Sequence, residues 1–283
     1  MIVRPRTFIH MKETRSMNIV HLWKLTWREN LGGQVVWIAA GTGVLILTAL
    51  AALSGAALSY QDRLVDVSTY FLVDAVTFLT ALFLGAGLFS RDFTSRGLAE
   101  LLVPRGVGKH TLYLGRLSGL AALLAALALA LFLFRGVAFA LADESQGAFS
   151  RPALVMFLFC ATKTALALSV GALLGVFVRP VIALLAGIGL FLFGHFSSGV
   201  SGLHGVAEEG GALVSPVLSA LFRIVRVWNP NFLVLESFQG GWETPTVGEI
   251  LLRLSWGAGA IALCATLGAC AVRMKEIGAA RAG

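Results

Sequence analysis

Residues 90–116, Ser-Arg-Asp-Phe-Thr-Ser-Arg-Gly-Leu-Ala-Glu-Leu-Leu-Val-Pro-Arg-Gly-Val-Gly-Lys-His-Thr-Leu-Tyr-Leu-Gly-Arg, form the one long polar stretch between two apolar blocks. Arg91, Arg96, Arg105, Lys109 and Arg116 outweigh Asp92 and Glu100. Inside this island Leu98, Leu101, Leu102 and Val103 recur at helical spacing, so a short amphipathic helix is expected there. Asp92 is a suitable N-cap for it, and Pro104, Gly106 and Gly108 end it.

The blocks on either side set the class. The 283 residues are 57% hydrophobic and only 13% charged, against about a quarter charged in a soluble domain, which points to an all-α, polytopic membrane protein. The net charge of +7 and pI near 9.8 are spread over the segments between apolar runs. Membrane topology accounts for that spread, and a nucleic-acid partner is not expected. Cys160, Cys264 and Cys270 all fall in apolar runs without metal-ligand spacing, so neither a disulfide nor a metal site is indicated.

Working outward, residues 1–16 read as a polar leader, with Met11 and Met17 as alternative starts. The first apolar run begins too late for a cleaved signal. Residues 17–30 read as an interfacial helix, with Ile19, Val20, Trp23 and Trp27 on one side and His21, Lys24 and Arg28 on the other. Six spans follow in a single transmembrane domain, at about 34–58, 67–89, 117–141, 153–178, 181–199 and 251–272. Each run is measured against a ~30 Å hydrocarbon core at about 1.5 Å per residue. Arg179 and Pro180 make a tight turn between the fourth and fifth spans. Residues 200–248 are too apolar for a plain loop, yet Pro216, Arg223, Arg226 and Asn229-Pro230-Asn231 argue against a full crossing. Short external helices that dip into the membrane edge and return are expected there.

Charge orients the array. With the N-terminus cytoplasmic, the inner segments hold fifteen of the 22 Lys and Arg, which places both termini inside. A seventh crossing would move the basic tail, Arg273, Lys275 and Arg281, to the outer side.

Ionisable residues within spans cost about 2.5–3.5 kcal/mol each on the insertion scale, so Asp74 and Lys163 need partners or a purpose. Their depths differ by roughly 5 Å of helix rise, within reach of an ion pair. Arg135 competes for Asp74, and a polar lining of a transport path is the functional alternative to pairing. His195 near a span end reads as a capping or hydrogen-bonding residue. Gly106-Val107-Gly108-Lys109-His110-Thr111 lacks the first glycine of a phosphate-binding loop, where Val103 stands, and has His110 at the hydroxyl position. His195-Phe196-Ser197-Ser198-Gly199 has Phe196 where an intramembrane serine hydrolase needs glycine. The pairs Gly115/Gly119 and Gly171/Gly175 permit close helix approach and predict packing only. The chain is therefore not expected to be an enzyme.

The island and the order of spans together resemble the permease subunits of ABC-2 type transporters. The likeness rests on Asp92, Gly97, the Leu98–Leu102 stretch, Pro104-Arg105, and Gly115-Arg116 with Gly119. A further element, Trp228-Asn229-Pro230-Asn231-Phe232, precedes the last span. In architecture the likeness covers most of residues 17–276, but its sharp motifs are confined to these two places, and Asp92 stands where glutamate is commoner. The resemblance implies a six-span subunit of an exporter in the inner membrane of a prokaryote, paired with a second copy as a homodimer. A separately encoded, dimeric ABC ATPase would carry ATP and Mg, and this chain no cofactor of its own. Residues 17–30 would be the elbow helix. The helix around Asp92, Gly97, Glu100, Leu101 and Leu102, ending at Pro104 and Arg105, would be the cytoplasmic coupling helix that docks on the ATPase.

The other class in view is a membrane protein with no ATPase, either a secondary transporter or a scaffold. No internal repeat frames the midplane charges Asp74 and Lys163, as an ion-coupled carrier would normally show. Spans rich in Leu, Ala, Gly and Phe suit an amphiphilic or lipid-like cargo, but any apolar helix needs the same composition.

Overall fold

The structure, a computed structural model, describes residues 19–54, 62–93, 108–141, 151–200 and 246–282. Among these the chain is helical throughout, with no strand. The helices are α1 (Ile19–Leu31), α2 (Gln34–Ser54), α3 (Asp62–Phe93), α4 (Lys109–Leu141), α5 (Arg151–Phe177), α6 (Pro180–Val200) and α7 (Val247–Ala282). Four of them hold stretches long and apolar enough to cross a membrane: Tyr70–Phe93, Lys109–Val137, Leu154–Phe177 and Val247–Met274. Shorter apolar stretches, Val35–Leu45 and Pro180–Leu192, lie in α2 and α6. The chain is a multi-pass membrane protein.

Local chemistry explains the breaks. Gly32 and Gly33 separate α1 from α2, their N–H groups donating to Arg28 O and Asn30 O at 3.1 Å each. The indole of Trp37 donates to Leu31 O at 2.7 Å, satisfying a carbonyl at the end of α1. Pro180 opens α6, where its missing N–H costs nothing, and it biases Arg179 away from helix. Thr246 and Glu249 form a reciprocal capping box at α7. The backbone N–H of Thr246 donates to Glu249 Oε2 at 2.9 Å, and that of Glu249 to Thr246 Oγ1 at 3.3 Å.

The core is built on α3 and α5, which run parallel and very close. A Cβ added at Gly171 or Gly175 would stand 2.9 Å from Leu82 O or 2.5 Å from Ala86 O, and one at Gly85 would meet Leu168 O. The small-residue pair Gly171/Gly175 is thus used within the chain, to let α5 lie backbone to backbone on α3. Leu82, Leu88, Leu168, Ala172 and Val176 fill the seam.

Neighbouring contacts fix the other directions. Tyr70 meets Arg135 while Asp92 meets Arg116, so α4 runs antiparallel to α3. Phe78 packs on Phe191 while Leu82 fills the space beside Gly187, so α6 is also antiparallel to α3. Trp256 joins the cluster of Phe132 and Met156, and Gly268 lies against Tyr113, so α7 is antiparallel to α4. The chain therefore alternates from α3 through α7. The last helix is peripheral: 11% of its apolar window is buried, against 50–61% in the other three long stretches.

Two boundaries differ from the sequence expectation. Lys109–Arg116 is helix, not island, and its last polar group, Arg116, finds partners in Thr26 and Glu29 of α1. Asp92 lies inside the last turn of α3 rather than capping a helix that follows, since its carboxylate is held by a guanidinium from α4. Residues 94–107, with the proposed short helix, fall outside the described residues, as do the leader and residues 201–245.

Candidate functional site

Two buried ionic clusters stand at different depths of the α3 seam. The first joins α1, α3 and α4. Arg116 is fully buried. Its Nε donates to Asp92 Oδ2 at 2.8 Å and its Nη2 to Asp92 Oδ1 at 3.0 Å, a two-point fork on a carboxylate that is itself 1% exposed. Nη2 also reaches Glu29 of α1, and Nη1 donates to Thr26 Oγ1 at 3.2 Å. Arg91 completes the set, lying 3.5 Å from Asp92 Oδ1 and donating to Asn30 Oδ1 at 3.3 Å. Two cations and two carboxylates balance, which is what allows so polar a group to be buried.

The sequence builds this cluster by helical spacing. Leu22, Thr26 and Asn30 recur every fourth residue and form the buried face of α1. Leu22 sits against Gly115 and Thr26 against Gly119, so this glycine pair admits α1 to the surface of α4. Trp23 and Trp27 flank the seam, donating to Ser118 Oγ at 2.8 Å and to Gly119 O at 3.0 Å. Of the expected face, Val20 is exposed and Trp23 and Trp27 reach the edge of the seam, while the row of Leu22, Thr26 and Asn30 turns inward. That row was hidden from a hydrophobicity reading because Thr26 and Asn30 are not apolar. Glu29, the one acid in α1, was the available signal for a buried cationic partner.

The second cluster lies about five turns away along α3. Lys163 Nζ of α5 donates to Asp74 Oδ2, and both side chains are buried. Asp74 Oδ1, also buried, has no hydrogen-bond partner among the described residues. Around the pair, Thr164 Oγ1 is 3.2 Å from Thr77 Oγ1, which is 3.6 Å from Cys160 Sγ. The Lys163 ammonium also stands 4.4 Å from the Phe191 ring centroid and 5.6 Å from that of Phe78. Arg135, the expected competitor for Asp74, is instead placed over the Tyr70 ring, 3.9 Å from its centroid.

Of the residues expected to meet a partner, Asp92 alone is among those described, and it is directed into the protein. Gly97, Glu100, Leu101, Leu102, Pro104 and Arg105 lie outside the described residues, as does the side chain of His195. Among the described residues no three His, Cys, Asp or Glu side chains cluster as a metal site requires. The geometry offers mechanical linkage at one end and a desolvated charge pair deeper in.

No protein-family model matches the chain, and no curated protein matches its sequence.

Proposed function

We propose that the chain is the transmembrane permease subunit of an ATP-driven ABC-2 type exporter. It would work as one of two identical copies, with a separate cytoplasmic ATPase that binds ATP and Mg. In this reading α2 to α7 are six crossings, both termini are cytoplasmic, and the membrane is the inner membrane of a prokaryote. Helix α1 is the elbow, and residues 94–107 carry the coupling helix between α3 and α4.

The observation that favours the reading is the Arg116 cluster. The stretch that would touch the ATPase is rooted in α3 at one end and α4 at the other. Asp92 and Arg116 lock those two roots together, and Glu29 and Thr26 add α1. A push on the island then moves three helices as one body rather than bending one of them, the rigid-body displacement that ATP-driven transport requires.

Purification of the tagged chain from its native membrane in mild detergent tests this. A stoichiometric ATPase with activity in the complex is expected, and Leu101→Glu or Leu102→Glu should release it without loss of membrane insertion. A clean chain indifferent to nucleotide overturns the reading. It would favour the second one, an ATPase-independent carrier or scaffold, whose support is the buried Asp74–Lys163 pair with its unpartnered carboxylate oxygen.

A further inference from the structure

Between the last turns of α3 and the first turns of α6 runs a groove of about 280 Å³. Its deeper walls are apolar: Phe83 and Gly87 from α3, Val181 and Leu184 from α6. Phe83 and Val181 are more than half exposed, so these walls are open to the hydrocarbon. One turn beyond Gly87 the lining becomes polar, with Ser90 and Arg91. Arg91 remains 42% exposed despite its contacts with Asn30 and Asp92. On the opposite wall Pro180 lines the groove, where the positive end of the α6 dipole begins. Among the described residues no acidic side chain lines the groove.

We infer that this groove holds one anionic phospholipid of the leaflet that borders the island. The order along it, apolar wall, then serine, then arginine, is that of an acyl chain leading to a phosphate headgroup. Basic pockets between spans take anionic headgroups in this way. A polypeptide occupant would not call for a cationic rim on an apolar slot. The occupant braces α3 and α6 beside the Arg116 cluster, so its headgroup shares Arg91 with Asn30 and Asp92.

The test is native mass spectrometry of the purified full chain after exchange into micelles with equal amounts of phosphatidylglycerol and phosphatidylcholine. About one phosphatidylglycerol per chain is expected to be retained. The preference should be about fivefold, the size of one surface cation, Arg91, acting on an anionic lipid. Arg91→Gln should reduce that preference by about fivefold. Gly87→Leu should remove retention of both lipids, since a Cβ at Gly87 points into open space and the longer side chain occupies the groove without a clash in the fold. Val181→Trp fills the slot from the other wall and serves if the first variant unfolds. Equal retention of the two lipids by the wild type overturns the inference, as does unchanged retention by both filled variants. Loss of a dimer rather than of lipid on filling would assign the groove to a second copy and overturn it equally.

Discussion

Arg116 and Asp92, 24 residues apart in sequence, are joined by two hydrogen bonds of 2.8 and 3.0 Å in a site where neither has more than 1% of its side chain exposed. The bond closes the base of residues 94–107, so whatever that segment engages acts on α3 and α4 together. Because Arg116 also binds Glu29 and Thr26, α1 belongs to the same unit.

Removing one partner leaves a buried charge and should destabilise the fold by about 3–5 kcal/mol. Asp92→Ala belongs at the lower end, since Glu29 still faces Arg116. Arg116→Met belongs at the upper end, because it removes the buried partner of two carboxylates at once and leaves Asp92 only the longer contact with Arg91. Arg116→Lys keeps the charge but not the fork, so an intermediate loss is expected. Thermal unfolding in detergent gives the order. Trypsin cutting at Lys24 and Arg28 should appear in parallel, as α1 comes away from α4.

Glycine positions in α5 and α6 offer a contrast. Gly175→Leu drives a side chain into the carbonyl of Ala86, a backbone atom that cannot move aside. A loss of about 1–3 kcal/mol or failure to fold is expected. A Cβ at Gly189 meets nothing within 4 Å, so Gly189→Leu should leave the unfolding midpoint unchanged within error. Equal behaviour of the two would contradict the close α3–α5 crossing.

Hydropathy is enough to place the apolar helices, because hydrocarbon demands long runs whose backbone bonds close within the helix. The fixed rise per residue is enough to set Asp74 and Lys163 at similar depth. The base of the island was harder to read. Lys109 to Arg116 is polar by composition, yet α1 covers its end at Gly115 and Arg116, and a covering contact made from ninety residues away leaves no periodic trace. The capping box of Thr246 and Glu249 was legible from its Thr-x-x-Glu spacing and lay just before the last span, where attention to hydropathy passes over it.

That box should have a measurable value. Thr246→Ala removes the acceptor for the Glu249 N–H and is expected to cost about 1 kcal/mol. The loss should be local, since α7 is peripheral: faster amide exchange over Val247–Leu251 with little change in the global midpoint.

For Asp74 and Lys163, the decisive comparison is between single and double neutral variants. Lys163→Met alone leaves a buried carboxylate, and Asp74→Leu alone leaves a buried ammonium; each should cost about 3–5 kcal/mol. The double variant replaces both ions with apolar groups of similar volume and should recover most of that loss. A charge exchange should recover less, because the carboxylate brought to position 163 would face the negative ring faces of Phe191 and Phe78 that now attract the ammonium. Unfolding midpoints give the coupling between the two sites, and, under the proposed export function, transport by the same variants gives the role. A double variant that folds like the wild type and transports normally makes the pair a packing device. One that folds and does not transport places Asp74 and Lys163 on the path, with the unpartnered oxygen of Asp74 as the group left available to whatever passes.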